Sequence, residues 1–244
     1  MSADTILAVD AVYAAYQSGI DILQGLSLAV RPKSLTLVIG PNGAGKSTLL
    51  RAIFGFLKPH AGLILFRGEP ISTLDPFEVK ARGIGYVPQE INTFPHLTVE
   101  ENLRMGGWIF RRDKPRLRRQ MARVYEIFPP LAERRRTRAS ELSGGQGRML
   151  SVAREMMTEP ALLLVDEPTA GLAPNLVDQV YELLLTARRT MGSTILLVDQ
   201  NIEQAVAYAD HVYMVNLGRI KAEGPASDFP PERVAALIQE CLLG

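Results

Sequence analysis

Gly40-Pro41-Asn42-Gly43-Ala44-Gly45-Lys46-Ser47 has the residue types and spacing of a phosphate cradle, G-x-x-x-x-G-K-[ST]. Glycines 40, 43 and 45 let the backbone turn tightly and present successive N–H groups to a phosphate. Lys46 can reach the β- and γ-phosphates as a point charge, and the Ser47 hydroxyl can ligate Mg²⁺. With Pro41, Asn42, Ala44 and Thr48, these residues are the expected binding loop for a nucleoside triphosphate. A second group, Leu162-Leu163-Leu164-Val165-Asp166-Glu167-Pro168, is an apolar strand ending in two carboxylates. At the C-terminal edge of a parallel sheet, where ligands bind, Asp166 can hold Mg²⁺ directly or through water. Glu167 is the candidate general base that polarises the water attacking the γ-phosphate. A third group, Leu142-Ser143-Gly144-Gly145-Gln146, opens a helix with one hydroxyl and several free N–H groups, a second anion site. The two phosphate-binding turns either share one nucleotide or face different ones in a dimer.

The flanks supply the elements such chemistry needs. Leu35 to Ile39 reads as a buried strand, and Lys46 to Leu57 has helical spacing with Leu49, Leu50, Ile53, Phe54 and Leu57 on one stripe. Strand, glycine loop and helix in that order point the helix N-terminus at the phosphates. Apolar runs at 6–12, 26–30 and 35–39, with turns at Ser18-Gly19 and Arg31-Pro32, predict a small β region before the loop. A hairpin is expected around 63–69 and a strand at 84–87. Helical signals dominate from about Pro95: Val99 to Ile109, Pro115 to Phe128, and Ser143 to Met157. From Ala161 onwards strands (161–165, 194–198, 212–215) alternate with helices (176–189, 203–209), which implies βαβ units and a largely parallel sheet. Arg219 to Ala222 and a closing helix over 230–243 follow. The expected architecture is one α/β domain over 1–244, with a core of 1–91 and 156–244 and a helical insertion at about 92–155.

Composition narrows the class without naming a partner. The 244 residues are 47% hydrophobic and 22% charged, with a net charge of +1, ordinary for a globular chain. The single cysteine, Cys241, rules out an intrachain disulfide and a cysteine-based metal site, and fits a reducing compartment. His60, His96 and His211 have no ligand spacing. No signal peptide is expected from Met-Ser-Ala-Asp-Thr, and the longest apolar runs are strand-sized. The chain is therefore expected to be soluble by itself and to need another component to hold it at a membrane. Residues 104–138 carry eleven Arg and one Lys against Asp113, Glu126 and Glu133, a local balance of +9. That stretch reads either as a solvated face or as a surface for anionic lipid or an acidic partner. No aromatic pattern suited to nucleic acid is interleaved with it.

Phosphate loop, Gln89, LSGGQ and the strand ending Asp166-Glu167 occur in the order of an ATP-binding cassette (ABC) transporter, and the chain resembles its nucleotide-binding subunit over essentially its full length. The resemblance implies a P-loop NTPase core with an N-terminal antiparallel β region and an inserted helical subdomain. It implies ATP and Mg²⁺, with Gln89 near the metal and the attacking water, and Tyr16, in preference to Tyr13, stacking on adenine. Two such subunits pack head to tail, so Ser143, Gly144, Gly145 and Gln146 would face the partner's nucleotide. A histidine usually follows the strand 194–198; here Gln200 stands there, able to donate a hydrogen bond but not to titrate. Gly147, in the helix after the signature, has no role on this reading.

Glu100-Glu101-Asn102-Leu103, Met105-Gly106-Gly107, Gly171-Leu172-Ala173-Pro174, Leu197-Val198-Asp199-Gln200-Asn201 and the ending Cys241-Leu242-Leu243-Gly244 are similar to the second ATPase subunit of branched-chain amino-acid importers. Urea and short-chain amide importers share these features. Such a resemblance implies a second, different ATPase subunit (or a second copy), two permease subunits and, indirectly, an extracytoplasmic binding protein, with this chain on the cytoplasmic face of the inner membrane. No nucleic acid is expected. A soluble ABC ATPase acting on nucleic acid or ribosomes usually carries two cassettes or a long coiled-coil insertion, and this chain has neither.

Overall fold

The computed structural model describes residues 4–17, 19–172 and 174–243. Ser18, Ala173 and Gly244, which belong to a turn and two motifs singled out above, lie outside the described residues.

Among the described residues, ten strands form two sheets. The first is antiparallel, in the order β2-β1-β4-β5, from β1 (Leu7–Ala14), β2 (Leu23–Val30), β4 (Ala61–Phe66) and β5 (Glu69–Pro70). The second has the order β10-β9-β3-β8-β7-β6. It is built from β3 (Leu35–Ile39), β6 (Ile84–Val87), β7 (Leu162–Asp166), β8 (Thr194–Val198), β9 (His211–Asn216) and β10 (Arg219–Pro225). All its pairings are parallel except β9 with β10. Every residue of β3, β7 and β8 is buried, as strands covered on both faces must be.

Strand periodicity sorts those side chains between two cores. Leu162, Leu164, Leu196 and Val198 join the cluster between the two sheets, with Leu26, Leu49 and Ile53. Leu163, Val165, Ile195 and Leu197 point the other way, onto helices α3 (Val99–Gly106), α4 (Lys114–Ile127), α6 (Gly144–Met156) and α7 (Pro174–Met191). The remaining helices are α1 (Lys46–Ile53), α2 (Pro76–Ala81), α5 (Pro129–Glu133), α8 (Ile202–Tyr208) and α9 (Pro231–Leu243). The helices between β6 and β7 share one continuous apolar cluster with the sheet.

Helices α1, α2 and α3 differ from expectation. Helix α1 ends at Ile53, short of Leu57, because Gly55 turns with φ of 84° and the Phe56 N–H closes onto the Arg51 carbonyl at 2.9 Å. Helix α3 ends at Gly106 and a 3₁₀ turn, Trp108–Phe110, follows. Helix α2 was not expected; it is set by Pro76 at its start and by a capping box between Asp75 and Glu78.

Asn102 fastens the loop after β6 to α3. It is fully buried, its Nδ2 donates to the carbonyls of Phe94 (3.0 Å), Leu97 (3.2 Å) and Thr98 (3.0 Å), and its Oδ1 accepts from the Phe94 N–H (2.8 Å). Asn102→Ala strands these backbone groups and is expected to cost about 2–3 kcal/mol of unfolding free energy, read from urea denaturation. Loss within the scatter of a surface substitution would show that the loop satisfies itself.

Candidate functional site

The loop from Gly40 to Gly45 joins β3 to α1 at the C-terminal edge of the parallel sheet. Gly40 is required by space as well as conformation: with φ of 150°, a Cβ there would lie 2.1 Å from the Val215 carbonyl oxygen. Helix α1 begins after Gly45 with no side-chain cap, so its first N–H groups are left for another acceptor. A cleft of about 300 Å³ opens there, lined by Tyr16, Ile22, Asn42, Gly43, Gly45, Lys46, Ser47, Thr48 and Glu167.

Lys46 is buried, and its Nζ donates to the carbonyls of Gly40 (2.9 Å) and Pro41 (3.0 Å). Burial lowers its pKa, opposed by the charges of Glu167 and Asp166. Asp166, at the end of β7, accepts from Ser47 Oγ at 2.9 Å and from the Tyr86 hydroxyl at 3.2 Å. Burial raises its pKa, these two hydrogen bonds opposing. Glu167 follows with a left-handed backbone (φ 44°), held by its N–H to the Val198 carbonyl at 2.8 Å. Its Oε2 accepts from Gln89 Nε2 at 2.7 Å and Gln200 Nε2 at 2.6 Å. The two glutamines, expected at a metal and a phosphate, thus converge on one carboxylate oxygen.

Of the aromatic candidates, Tyr16 lines the cleft and is 54% exposed, while Tyr13 lies against His60. Residues 143–146 do not line this cleft. Ser143 caps α6, accepting from the Gln146 N–H, and Ser143 and Gly144 are exposed. Within one chain the turn at 143–146 therefore lies outside the cleft of the Gly40–Gly45 loop.

Several partners were not foreseen. Arg51 Nη1 donates to the Tyr16 hydroxyl at 3.0 Å, and the Tyr86 hydroxyl donates to Asp166. Buried Asp199 accepts from Thr169 Oγ1 (2.7 Å) and from the N–H groups of Gln200 (2.7 Å) and Asn201 (3.0 Å). Asn201 Nδ2 donates to Thr169 Oγ1 at 2.6 Å, tying the loop after β7 to the loop that carries Gln200. Position 51 falls one helical turn after Ser47, which was a readable signal; the Asp199 contacts had none.

Gly147 now has a physical reason. A Cβ there would meet Ile91 at 3.3 Å, so glycine leaves room for the loop after β6 to lie on α6. The same loop is strapped by Arg148 Nη1 to the Pro88 carbonyl (3.1 Å) and by the Asn92 N–H to Ser151 Oγ (3.1 Å).

The raised pKa of Asp166 has a consequence for stability. The folded state holds the proton more tightly than the unfolded state. Folding is therefore unpenalised below the ordinary carboxylate value of 3.8 and loses stability as pH climbs through the raised folded value. Asp166→Asn removes that ionisation, so the variant should melt above the parent near neutral pH, and the gap should close on acidification. Equal melting temperatures at neutral pH would contradict a burial penalty at this residue.

The ABC transporter family model matches residues 23–170 of this chain. The high-affinity branched-chain amino acid transport ATP-binding protein BraG of Pseudomonas aeruginosa is 42% identical over 205 residues, 84% of this chain and 87% of BraG. The probable branched-chain amino acid transport ATP-binding protein LivF of Archaeoglobus fulgidus is 36% identical over 208 residues, 85% of this chain and 87% of LivF. Among solved structures, the ADP conformation of MJ1267, an ATP-binding cassette of an ABC transporter, superposes with a TM-score of 0.86 at 29% identity, covering 98% of this chain and 99% of that one. A phosphate loop, a carboxylate-ended strand and a displaced signature turn, on a cassette fold with relatives this similar, make this chain a member of the ABC transporter family, an ATP-binding cassette.

Proposed function

We propose that this cassette hydrolyses ATP to drive an importer for branched-chain amino acids or related amino acids and amides. The observation that carries the chemistry is the convergence of Lys46, Ser47 and Glu167 at one cleft beside an uncapped helix N-terminus, with Asp166 bonded to Ser47. Similarity to BraG and LivF supports the substrate class.

On this reading the N–H groups of residues 43–48 cradle the phosphates and Lys46 exchanges its two loop carbonyls for phosphate oxygens. Tyr16 stacks on the base. Ser47 Oγ and Asp166 Oδ1, two hard oxygens 2.9 Å apart, fit Mg²⁺, which takes few protein ligands and fills its shell with phosphate and water. Among the described residues no group of three or more His, Cys, Asp or Glu could hold a metal by itself, in keeping with a metal that arrives with nucleotide. Ser47 and Asp166 would hold the metal, which would supply positive charge to offset that of the phosphates. Glu167 takes the proton of the attacking water, and the amides of Gln89 and Gln200 orient its carboxylate without competing for that proton.

Ser143, Gly144, Gly145 and Gln146 would meet the nucleotide of a second cassette, closing a dimer over ATP. The chain acts as one domain, with residues 1–91 and 156–244 as the core and about 92–155 as the helical subdomain. No described helix is long and apolar enough to cross a membrane, so two permease subunits would hold the cassette at the cytoplasmic face of the inner membrane.

Glu167→Gln should keep nucleotide binding and lose hydrolysis by about 10²–10⁴-fold, the usual worth of a general base. Lys46→Ala should lose binding itself. Hydrolysis by Glu167→Gln at the parental rate would remove Glu167 from the base role. Co-purification from native membranes should recover two permeases and a second, different ATPase; ribosomes or DNA in their place would overturn the transport reading.

A further inference from the structure

The turn after α3 faces its residues in opposite directions. Phe110 is buried, with the Arg116 guanidinium 4.5 Å from its ring centroid, whereas Trp108 and Ile109 are 55% and 46% exposed. Arg111 lies 4.7 Å over the Trp108 ring, and Arg111, Arg112, Arg118 and Arg119 are all exposed. Among the described residues none of these four makes an ion pair; nearby Arg104 and Arg123 do, with Glu100 and Glu159.

The charge is segregated. Residues 104–138 carry +9 in a chain whose total is +1, leaving −8 on the rest. A merely solvated face would be expected to balance its signs, and here twelve cations stand against three acids. Nucleic acid would ask for a row of exposed aromatic rings, and the turn offers one, already covered by Arg111. An outward Trp-Ile pair anchored by a buried Phe and bordered by unpaired Arg is the chemistry of a bilayer interface: aromatic and aliphatic groups at headgroup depth, cations on anionic phosphates.

We propose that the face of Trp108, Ile109, Arg111, Arg112, Arg118 and Arg119 is a membrane-contact surface that binds anionic lipid headgroups directly. The inference stands on this charge and aromatic pattern and is independent of the transported substrate.

Trp108 is the only tryptophan in the chain, so its fluorescence reports this face alone. The full-length protein is mixed with vesicles of phosphatidylcholine, or of phosphatidylcholine with about one-third phosphatidylglycerol, and floated on a density gradient. Flotation and a blue shift of Trp108 emission are expected with the anionic vesicles only, both fading as salt shortens the screening length below about 8 Å. Each Arg near an anionic surface strengthens binding roughly fivefold, so Arg118→Glu with Arg119→Glu should weaken it at least about twentyfold. ATP hydrolysis by that variant, unchanged, certifies the fold and separates this test from the catalytic one. Trp108→Ala should weaken flotation while keeping its salt dependence. The proposal falls if emission is unmoved and the protein stays in the lipid-free fraction, if neutral vesicles bind equally, or if only an oligonucleotide shifts Trp108.

Discussion

One cation and two carboxylates, Lys46, Asp166 and Glu167, are each about 5% exposed or less at the edge of the parallel sheet. Taking such charges out of water is tolerable only if each has fixed partners. That requirement organises the surroundings. Lys46 is satisfied by two carbonyls of its own loop, Asp166 by Ser47 and Tyr86, and Glu167 by two glutamine amides. The partners come from α1, from β6 and the loop after it, and from the loop after β8, so the site assembles only when the sheet is in register. On the proposed function, a triphosphate entering the cleft would bring negative charge to the loop N–H groups and Lys46.

The arrangement stores unfavourable energy at Asp166 and Glu167. Glu167 holds a left-handed backbone that a non-glycine residue avoids, on the order of 1 kcal/mol or more. Asp166 would fold more easily without its charge. Both are held by the rigid frame of β7 and β8, whose side chains are wholly buried. Stability surrendered at the site is recovered in the two apolar clusters on either face of the sheet.

What could be read from the chain follows the range of the interaction. Five-residue apolar runs such as 35–39 and 194–198 announce buried strands because every side chain in them has the same fate. The phosphate loop is legible because its chemistry lies within eight consecutive residues. Helix α2 was hidden: it spans six residues and buries only Val79, too little for a periodic stripe, although Asp75, Pro76 and Glu78 marked its start. The partners of Asp166 and Asp199 were invisible because Tyr86 and Thr169 lie 80 and 30 residues away in sequence. Gly147 has no role on the sequence reading; only the position of Ile91 shows what it makes room for.

The same contacts join the signature turn to Glu167. Helix α6 starts at the turn 143–146, and its next residues grip the loop after β6 through Arg148 with Pro88, Ser151 with Asn92, and the space at Gly147 taken by Ile91. Gln89 sits inside that gripped stretch and donates to Glu167. A shift of α6 must therefore either carry Gln89 with it or break the Arg148 and Ser151 hydrogen bonds. Each such bond is worth about 0.5–1.5 kcal/mol, more where the donor is charged, so a small displacement keeps the grip and moves the glutamine. On the far side, Asp199 and Thr169 fix the loop that carries Gln200. The carboxylate thus hangs between one donor tied to the signature helix and one tied to its own sheet. Movement of the first relative to the second changes how many hydrogen bonds Glu167 accepts and so where its carboxylate points.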